Sequence, residues 1–339
     1  MNHRTLDNFV GCLVGGAIGD ALGGAVEFSY SLGSIREQFG PDGLTDYAPI
    51  YGRRGAITDD TQMTLFTAEG LILACDRGRE RGIWDPLAMV HAAYLRWLAT
   101  QGYTSSHPQF EAHPQRGLAR LTEMNARRAP GHTCLSGLQG PTPGSLQHPL
   151  NDSKGSGGVM RVAPVGLAFA RPFELGCQTA ALTHGHPSGY LAAGAFAVII
   201  AETMAGTELV DAVAVAVEEL GRWSGRRETL AALAAAVRAA ADGDPTPERL
   251  EKLGQGWVAE EALAIAVYCA LVAEDFEHGV LLSVNHGGDS DTTGTLTGQL
   301  LGARWGRQAL PERWVVDLEL SERIAKVAED LFSRYQKAR

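Results

Sequence analysis

Apolar residues recur along this chain at three- and four-residue steps and almost nowhere at alternate positions, which is the period of helices and not of strands. Over residues 7–23, Phe9, Leu13 and Ala17 form one stripe, and Val10, Val14, Ile18 and Leu22 form a second beside it. Two adjacent stripes predict a helix buried over much of its girth. Gly15, Gly16 and Gly19 interrupt it. Each costs roughly 1 kcal/mol against Ala in a helix, and close approach of a neighbouring helix is the usual offset. The same periodicity predicts helices over 60–76, 85–100, 173–183, 188–205, 209–223, 228–241, 258–273, 293–304 and 320–335, and a short one near 116–125. Residues 31–55 and 101–156 carry Gly, Pro and polar residues without a period and are expected as loops. The second is expected to form a substrate-facing lid. The predicted architecture is all-α, in a single domain spanning 1–339.

Two polar stretches stand out against this background. One is Thr58–Asp59–Asp60–Thr61–Gln62–Met63; the other is His286–Gly287–Gly288–Asp289–Ser290–Asp291–Thr292–Thr293. Each precedes an apolar run and reads as a loop feeding a helix N-terminus, where Asp and Thr cap and the helix dipole favours acids. A solvated cap explains either stretch alone. Two of them facing each other would put four carboxylates in one small space, and divalent cations would relieve the repulsion. The donors, Thr58, Asp59, Asp60, Asp289, Asp291 and Thr292, offer only oxygen, which suits Mg²⁺, Mn²⁺ or Ca²⁺. An EF-hand starting at Asp289 is excluded, because its last position falls on Leu300 where a bidentate Glu is required.

Composition adds limits. The net charge of −10 leaves no general attraction to nucleic acid or an anionic membrane. Five scattered cysteines, Cys12, Cys75, Cys134, Cys177 and Cys269, match no metal spacing and read as buried thiols in a reducing, cytoplasmic setting. The most apolar run, 190–200, is shorter than a membrane span and reads as a buried central helix. His107, His113, His132 and His148 fit no zinc spacing. The segment Lys154–Gly155–Ser156–Gly157–Gly158 could cradle a phosphate on backbone N–H groups, or be a plain linker; it is not a P-loop.

Three ordered motifs resemble those of the ADP-ribosylglycohydrolase family: Gly15–Gly16–Ala17–Ile18–Gly19–Asp20 with Glu27, then Thr58–Asp59–Asp60–Thr61, then Gly287–Gly288–Asp289–Ser290–Asp291–Thr292. The resemblance runs through nearly the whole chain. It implies an all-helical fold and two divalent cations, Mg²⁺ or Mn²⁺, held by the two acid caps, with Asp291 bridging them. It places Asp20 near the site, Glu27 beside the cations to govern access or contact the substrate, the diphosphate of ADP-ribose on Gly155, Ser156, Gly157 and Gly158, and His184 near a ribose. The expected catalytic residues are Glu27, Asp60 and Asp291. The expected reaction is hydrolysis of the glycosidic bond of an ADP-ribosylated protein, most readily at arginine, with water activated by the cations. Serine linkages and small ADP-ribose conjugates stay open. So do a binding-only protein, a structural relative keeping the fold alone, and a metal-dependent phosphohydrolase.

Overall fold

The computed structural model describes residues 4–29 and 31–336. In chain order its helices are α1 (Leu6–Gly23), α2 (Leu32–Phe39), α3 (Asp59–Arg81), α4 (Pro86–Thr100), α5 (His132–Gln139), α6 (Ala163–Ala168), α7 (Phe173–Ala181) and α8 (Pro187–Ala205). They continue as α9 (Leu209–Leu220), α10 (Arg227–Ala240), α11 (Pro247–Leu250), α12 (Ala259–Val272), α13 (Phe276–Val284), α14 (Ser290–Trp305), α15 (Glu312–Asp317) and α16 (Ser321–Gln336). Among the described residues there is no strand, only the isolated bridges Ile50–Arg53 and Gly155–Val258.

The molecule is built on the antiparallel pair α1 and α14. Gly11, Gly15, Gly19 and Gly23 face Gly302, Gly298, Gly294 and Ser290 in turn. A Cβ on Gly19 would lie 2.0 Å from the Gly294 carbonyl oxygen, and one on Gly15 would lie 2.6 Å from that of Gly298. No side chain fits between these backbones, so the glycine cost anticipated for α1 is offset by a close helix–helix contact. The ladder fixes register as well as distance. It sets the N-terminus of α14 against the C-terminal end of α1, where Asp20 and Glu27 emerge.

α8 forms the second centre. It is buried along almost its entire length and packs on α6, α7, α9, α12 and α14. At 19 residues it is longer than the apolar run and long enough by composition to cross a bilayer, yet it lies inside the protein. Helices α3 and α16 also pack on α1, and α4 packs on α3.

The structure corrects several expectations. Residues 31–55 are not all loop: Ser31 caps α2 by accepting from the Ser34 N–H at 3.1 Å. Only Leu32 and Ile35 of that helix are buried, too few to make a period. Within 101–156 lies α5, which buries Cys134, Leu135 and Leu138, and the expected helix near 116–125 is instead two 3-10 turns, Gly117–Arg120 and Glu123–Asn125. α14 starts at Ser290, three residues earlier than its apolar pattern, so Asp291 and Thr292 belong to its first turn. α3 extends to Arg81, where Gly82 terminates it in the left-handed region.

Candidate functional site

The first acid cap is held from three directions. Locally, the Thr58 side chain accepts from the Asp60 N–H at 3.2 Å and caps α3. From α1, the Asp20 carboxylate accepts the N–H groups of Thr58 at 3.0 Å and Thr61 at 3.1 Å, and the Thr61 hydroxyl. From the irregular region, the Asp59 N–H donates to the Arg128 carbonyl at 3.0 Å, and the Gly131 N–H donates to Asp59 Oδ2 at 3.0 Å. The approach to the cap is fixed by Glu319, whose Oε2 accepts from the Ile57 N–H at 3.1 Å. Gly55, at φ +64, meets the Asp317 carbonyl so closely that a Cβ there would lie 2.4 Å from its oxygen.

The second cap is held by its own turn and by the glycine ladder. The Asp289 N–H donates to the Gln255 carbonyl at 2.8 Å, and Asp289 Oδ2 accepts the Ser156 hydroxyl at 2.6 Å. Asp291 Oδ1 accepts the Thr292 N–H at 2.9 Å. Behind them, the Thr293 hydroxyl meets His286 Nε2 at 2.9 Å and donates to the Ser283 carbonyl at 2.8 Å.

These supports bring the two caps together. Carboxylate oxygens of Asp59, Asp60 and Asp291 lie within 4.8 Å of one another, and so do those of Glu27, Asp289 and Asp291. All five residues are buried, and Thr58 and Thr292 are buried with them. Asp291 belongs to both groups. Glu27, expected to act on substrate, therefore also lies within ligand reach of the acid cluster.

Electrostatics follows from the geometry. Burial, and next the Asp291 carboxylate, push Asp20 up to about 7 and Glu27 up to about 11. Asp59 and Asp60 rise for the same two reasons, and Asp291 rises through burial and Asp289. Asp289 also rises by burial, although the hydrogen bond it accepts from the Ser156 hydroxyl opposes the shift. The cluster holds more negative charge than it can neutralise. Asp60 Oδ1 and Glu27 Oε2 are buried without a hydrogen-bond partner, an expensive state for a carboxylate unless something else binds it. Unpartnered oxygens in an all-oxygen donor set fit hard divalent cations. No histidine joins either group among the described residues. His91 and His286 are held down to about 4 by burial and stay neutral.

The glycine segment lies on the Asp289 side. A Cβ on Gly157 would lie 2.6 Å from Cys134 Sγ and 3.0 Å from His184 Cε1, so the loop is seated on those side chains. Gly155 pairs with Val258, and the Ser156 N–H donates to the Trp257 carbonyl at 3.2 Å. Ser156 spends its hydroxyl on Asp289, linking the loop to the acid cluster. His184 is 1% exposed, and its Nδ1 meets the Thr183 hydroxyl at 2.8 Å. It supports the loop from below and offers no open surface. Burial, then Arg161, bring it down to about 3. Arg161 itself is fully buried, stacked over Tyr94 at 4.4 Å and donating to Thr183. Lys154 ties the loop to α10 and α12 through Glu228 at 2.9 Å and Glu260.

Some supports carry no sequence signal. Nothing in the pattern points to Arg128 and Gly131, whose hydrogen bonds to Asp59 are made by backbone groups. Asp20 does carry one, a charged residue inside an otherwise apolar helix. All five cysteines are buried and free.

Comparison with known proteins gives consistent matches. The model of the ADP-ribosylglycohydrolase family matches residues 1–339. The chain is 25% identical over 380 residues to the ADP-ribosylhydrolase ARH3 of Bos taurus, covering 99% of this chain and 95% of that one. It is 24% identical over 344 residues to an ADP-ribosylarginine hydrolase of Serratia proteamaculans, covering 97% and 80%. A solved ADP-ribosylglycohydrolase-related protein complex superposes with a TM-score of 0.64 at 26% identity, covering 99% of this chain and 100% of that one.

Proposed function

The chain belongs to the ADP-ribosylglycohydrolase family, and from that premise we propose that it hydrolyses ADP-ribosylated protein at arginine in the cytoplasm, using two divalent cations, Mg²⁺ or Mn²⁺. Hydrolysis of ADP-ribosyl glycosidic bonds is the activity its named relatives share. The observation that carries the finer reading is the pair of carboxylate groups sharing Asp291. Two acid triads with one common member suit two cations and a bridging ligand. Thr58, Asp59, Asp60, Asp289, Asp291 and Thr292 would hold them, with Glu27 beside them. Bound there, the cations supply charge neutralisation and Lewis acidity toward hydroxyl groups and water.

The chain's own residues supply the rest. Gly155, Ser156, Gly157 and Gly158 would receive the diphosphate on their backbone, and glycine at 157 and 158 lets that backbone sit directly on Cys134, His184 and Ala180. Ser156, fixed on Asp289, sets the distance between that diphosphate and the acid cluster. His184 and Cys134 hold the loop at its height. Glu27, beside the cation ligands, would hold a proton near the departing group. Arginine is favoured as the acceptor because a relative matched over 97% of this chain is an ADP-ribosylarginine hydrolase.

The test is release of ADP-ribose from arginine-linked, serine-linked and small-molecule conjugates, with cations and with chelator. Asp60→Ala and Asp291→Ala are expected to lose at least about a thousandfold in kcat/KM, on the order of 4 kcal/mol. Wild-type turnover by either variant rejects this site. Binding of ADP-ribose without turnover indicates a binding-only protein, and AMP or phosphate as product indicates phosphoryl chemistry.

A further inference from the structure

Tyr51 stands at the tip of the Ile50–Arg53 turn with φ +53, followed by Gly52 at φ +82. Two successive positive-φ residues make a turn whose first position favours Asn, Asp or Gly and disfavours a bulky ring. A tyrosine there costs conformational energy, and strained residues of this kind cluster at functional sites. The turn itself does not need the ring. A Cβ on Gly52 would have no neighbour within 4 Å, so the tip faces open space.

The ring is placed by the acid cluster's own supports. The Arg128 guanidinium stacks over it at 4.7 Å. Arg128 is bonded to Glu319 at 3.2 Å, and its carbonyl receives the Asp59 N–H at 3.0 Å. One face of the ring is thereby committed, while the residue keeps 41% of its surface open. Ile50, in the same turn, packs on the end of α1 that leads to Glu27: a Cβ on Gly24 would lie 3.7 Å from Ile50 Cδ1. The glycine segment, by contrast, is joined to the cluster through Asp289. Tyr51 therefore borders the Glu27 side of the site and the glycine segment the Asp289 side.

We infer that Tyr51 determines acceptor specificity: its open aromatic surface forms the wall on the leaving-group side and stacks on a planar guanidinium. The assignment rests on the functional reading above, since a diphosphate on the glycine segment directs the acceptor to the opposite rim. A guanidinium over a phenol ring is a favourable cation–π arrangement.

Tyr51→Asn is the informative variant, because Asn suits the turn and removes the ring. The expected result is a roughly tenfold fall in kcat/KM on an arginine-linked conjugate, expressed in KM. Affinity for free ADP-ribose, which has no acceptor, is expected to stay within about twofold, and Tm to be unchanged or higher. Tyr51→Phe keeps the ring and is expected to retain wild-type kcat/KM within about twofold. The inference is overturned if Tyr51→Asn keeps its kcat/KM, if ADP-ribose affinity falls by the same factor, or if Tyr51→Phe loses as much as Tyr51→Asn. A wild-type chain that releases ADP-ribose from no conjugate overturns the functional reading along with it. A wild type that turns over serine-linked but not arginine-linked conjugate overturns the guanidinium assignment alone.

Discussion

The two acid caps have nearly the same local chemistry and are held in opposite ways. The Thr58–Asp60 cap depends on side-chain and loop hydrogen bonds from distant segments: Asp20 of α1, Arg128 and Gly131 of the irregular region, and Glu319 before α16. The Asp289–Thr292 cap depends on backbone packing, because α14 is pressed along α1 by the glycine ladder and Asp289 hangs from the Gln255 carbonyl. Backbone contact tolerates no adjustment, whereas a hydrogen-bonded clamp can lose one member and partly relax. The second cap therefore acts as the fixed half of the site, and the first is docked onto it.

The sharpest break is expected at Gly19. A Cβ at 2.0 Å from the Gly294 oxygen has no accommodating rotamer, so Gly19→Val should cost about 3 kcal/mol or more. Loss of the cooperative thermal transition, or failure to accumulate folded protein, is the expected readout. A Tm near wild type would remove the ladder as the organising contact.

Next is the cation-dependent gain in stability. Saturating Mg²⁺ or Mn²⁺ at about a hundred times Kd should add ~2.7 kcal/mol to the wild type. Asp291→Asn should be more stable than wild type in chelator, because one of several repelling charges is gone, and should lose most of that gain. Thermal scans with and without chelator test both statements. An equal cation-induced shift in the variant would take Asp291 out of the ligand set.

The difference between the caps can be measured directly with Asp20→Ala and Ser156→Ala. Asp20→Ala leaves the buried N–H groups of Thr58 and Thr61 without their acceptor, a cost of about 1–3 kcal/mol. Ser156→Ala removes a single hydroxyl from Asp289, and the backbone still holds that cap, so it should cost about 1 kcal/mol or less. Denaturant unfolding in chelator compares them, and equal losses would mean the two caps share one kind of support.

The caps also differ from an ordinary surface in how their stability depends on pH. Without cations, Asp20 titrates near 7 when folded against 3.8 ordinarily. The folded state then binds more protons than the unfolded chain, so this contribution is present below 3.8 and is lost as pH rises through about 7. In chelator, Tm is expected to fall between pH 5 and pH 8. With cations that fall should be reduced or reversed, since metal competes with protons for the same oxygens. A chelated protein more stable at pH 8 would contradict the crowding of the cluster.

The helical class was legible in the apolar period, and most helices of ten residues or more lie within a few residues of their expected bounds. Short elements were not legible. α2 and α5 bury too few side chains to set up a repeat, and their stability comes from what they rest on. The two acid caps were legible because Asp and Thr at a helix start have a local reason to be there. The glycine ladder was half legible: α1 showed glycines that needed a close neighbour, but not which neighbour or which register. His184 was legible as part of a Thr–His motif, and its burial beneath the loop came only from packing.

By itself the sequence determined the helices, the chemical type of the donors and their placement at two helix starts, because periodicity, capping and ligand hardness are local properties. Tertiary structure alone decided that Asp291 is shared between two carboxylate groups, that Ser156 is turned to Asp289, and that Arg128 stacks on Tyr51. Those facts depend on distances between residues far apart in the chain, and such distances are set by how backbones and side chains fill space together.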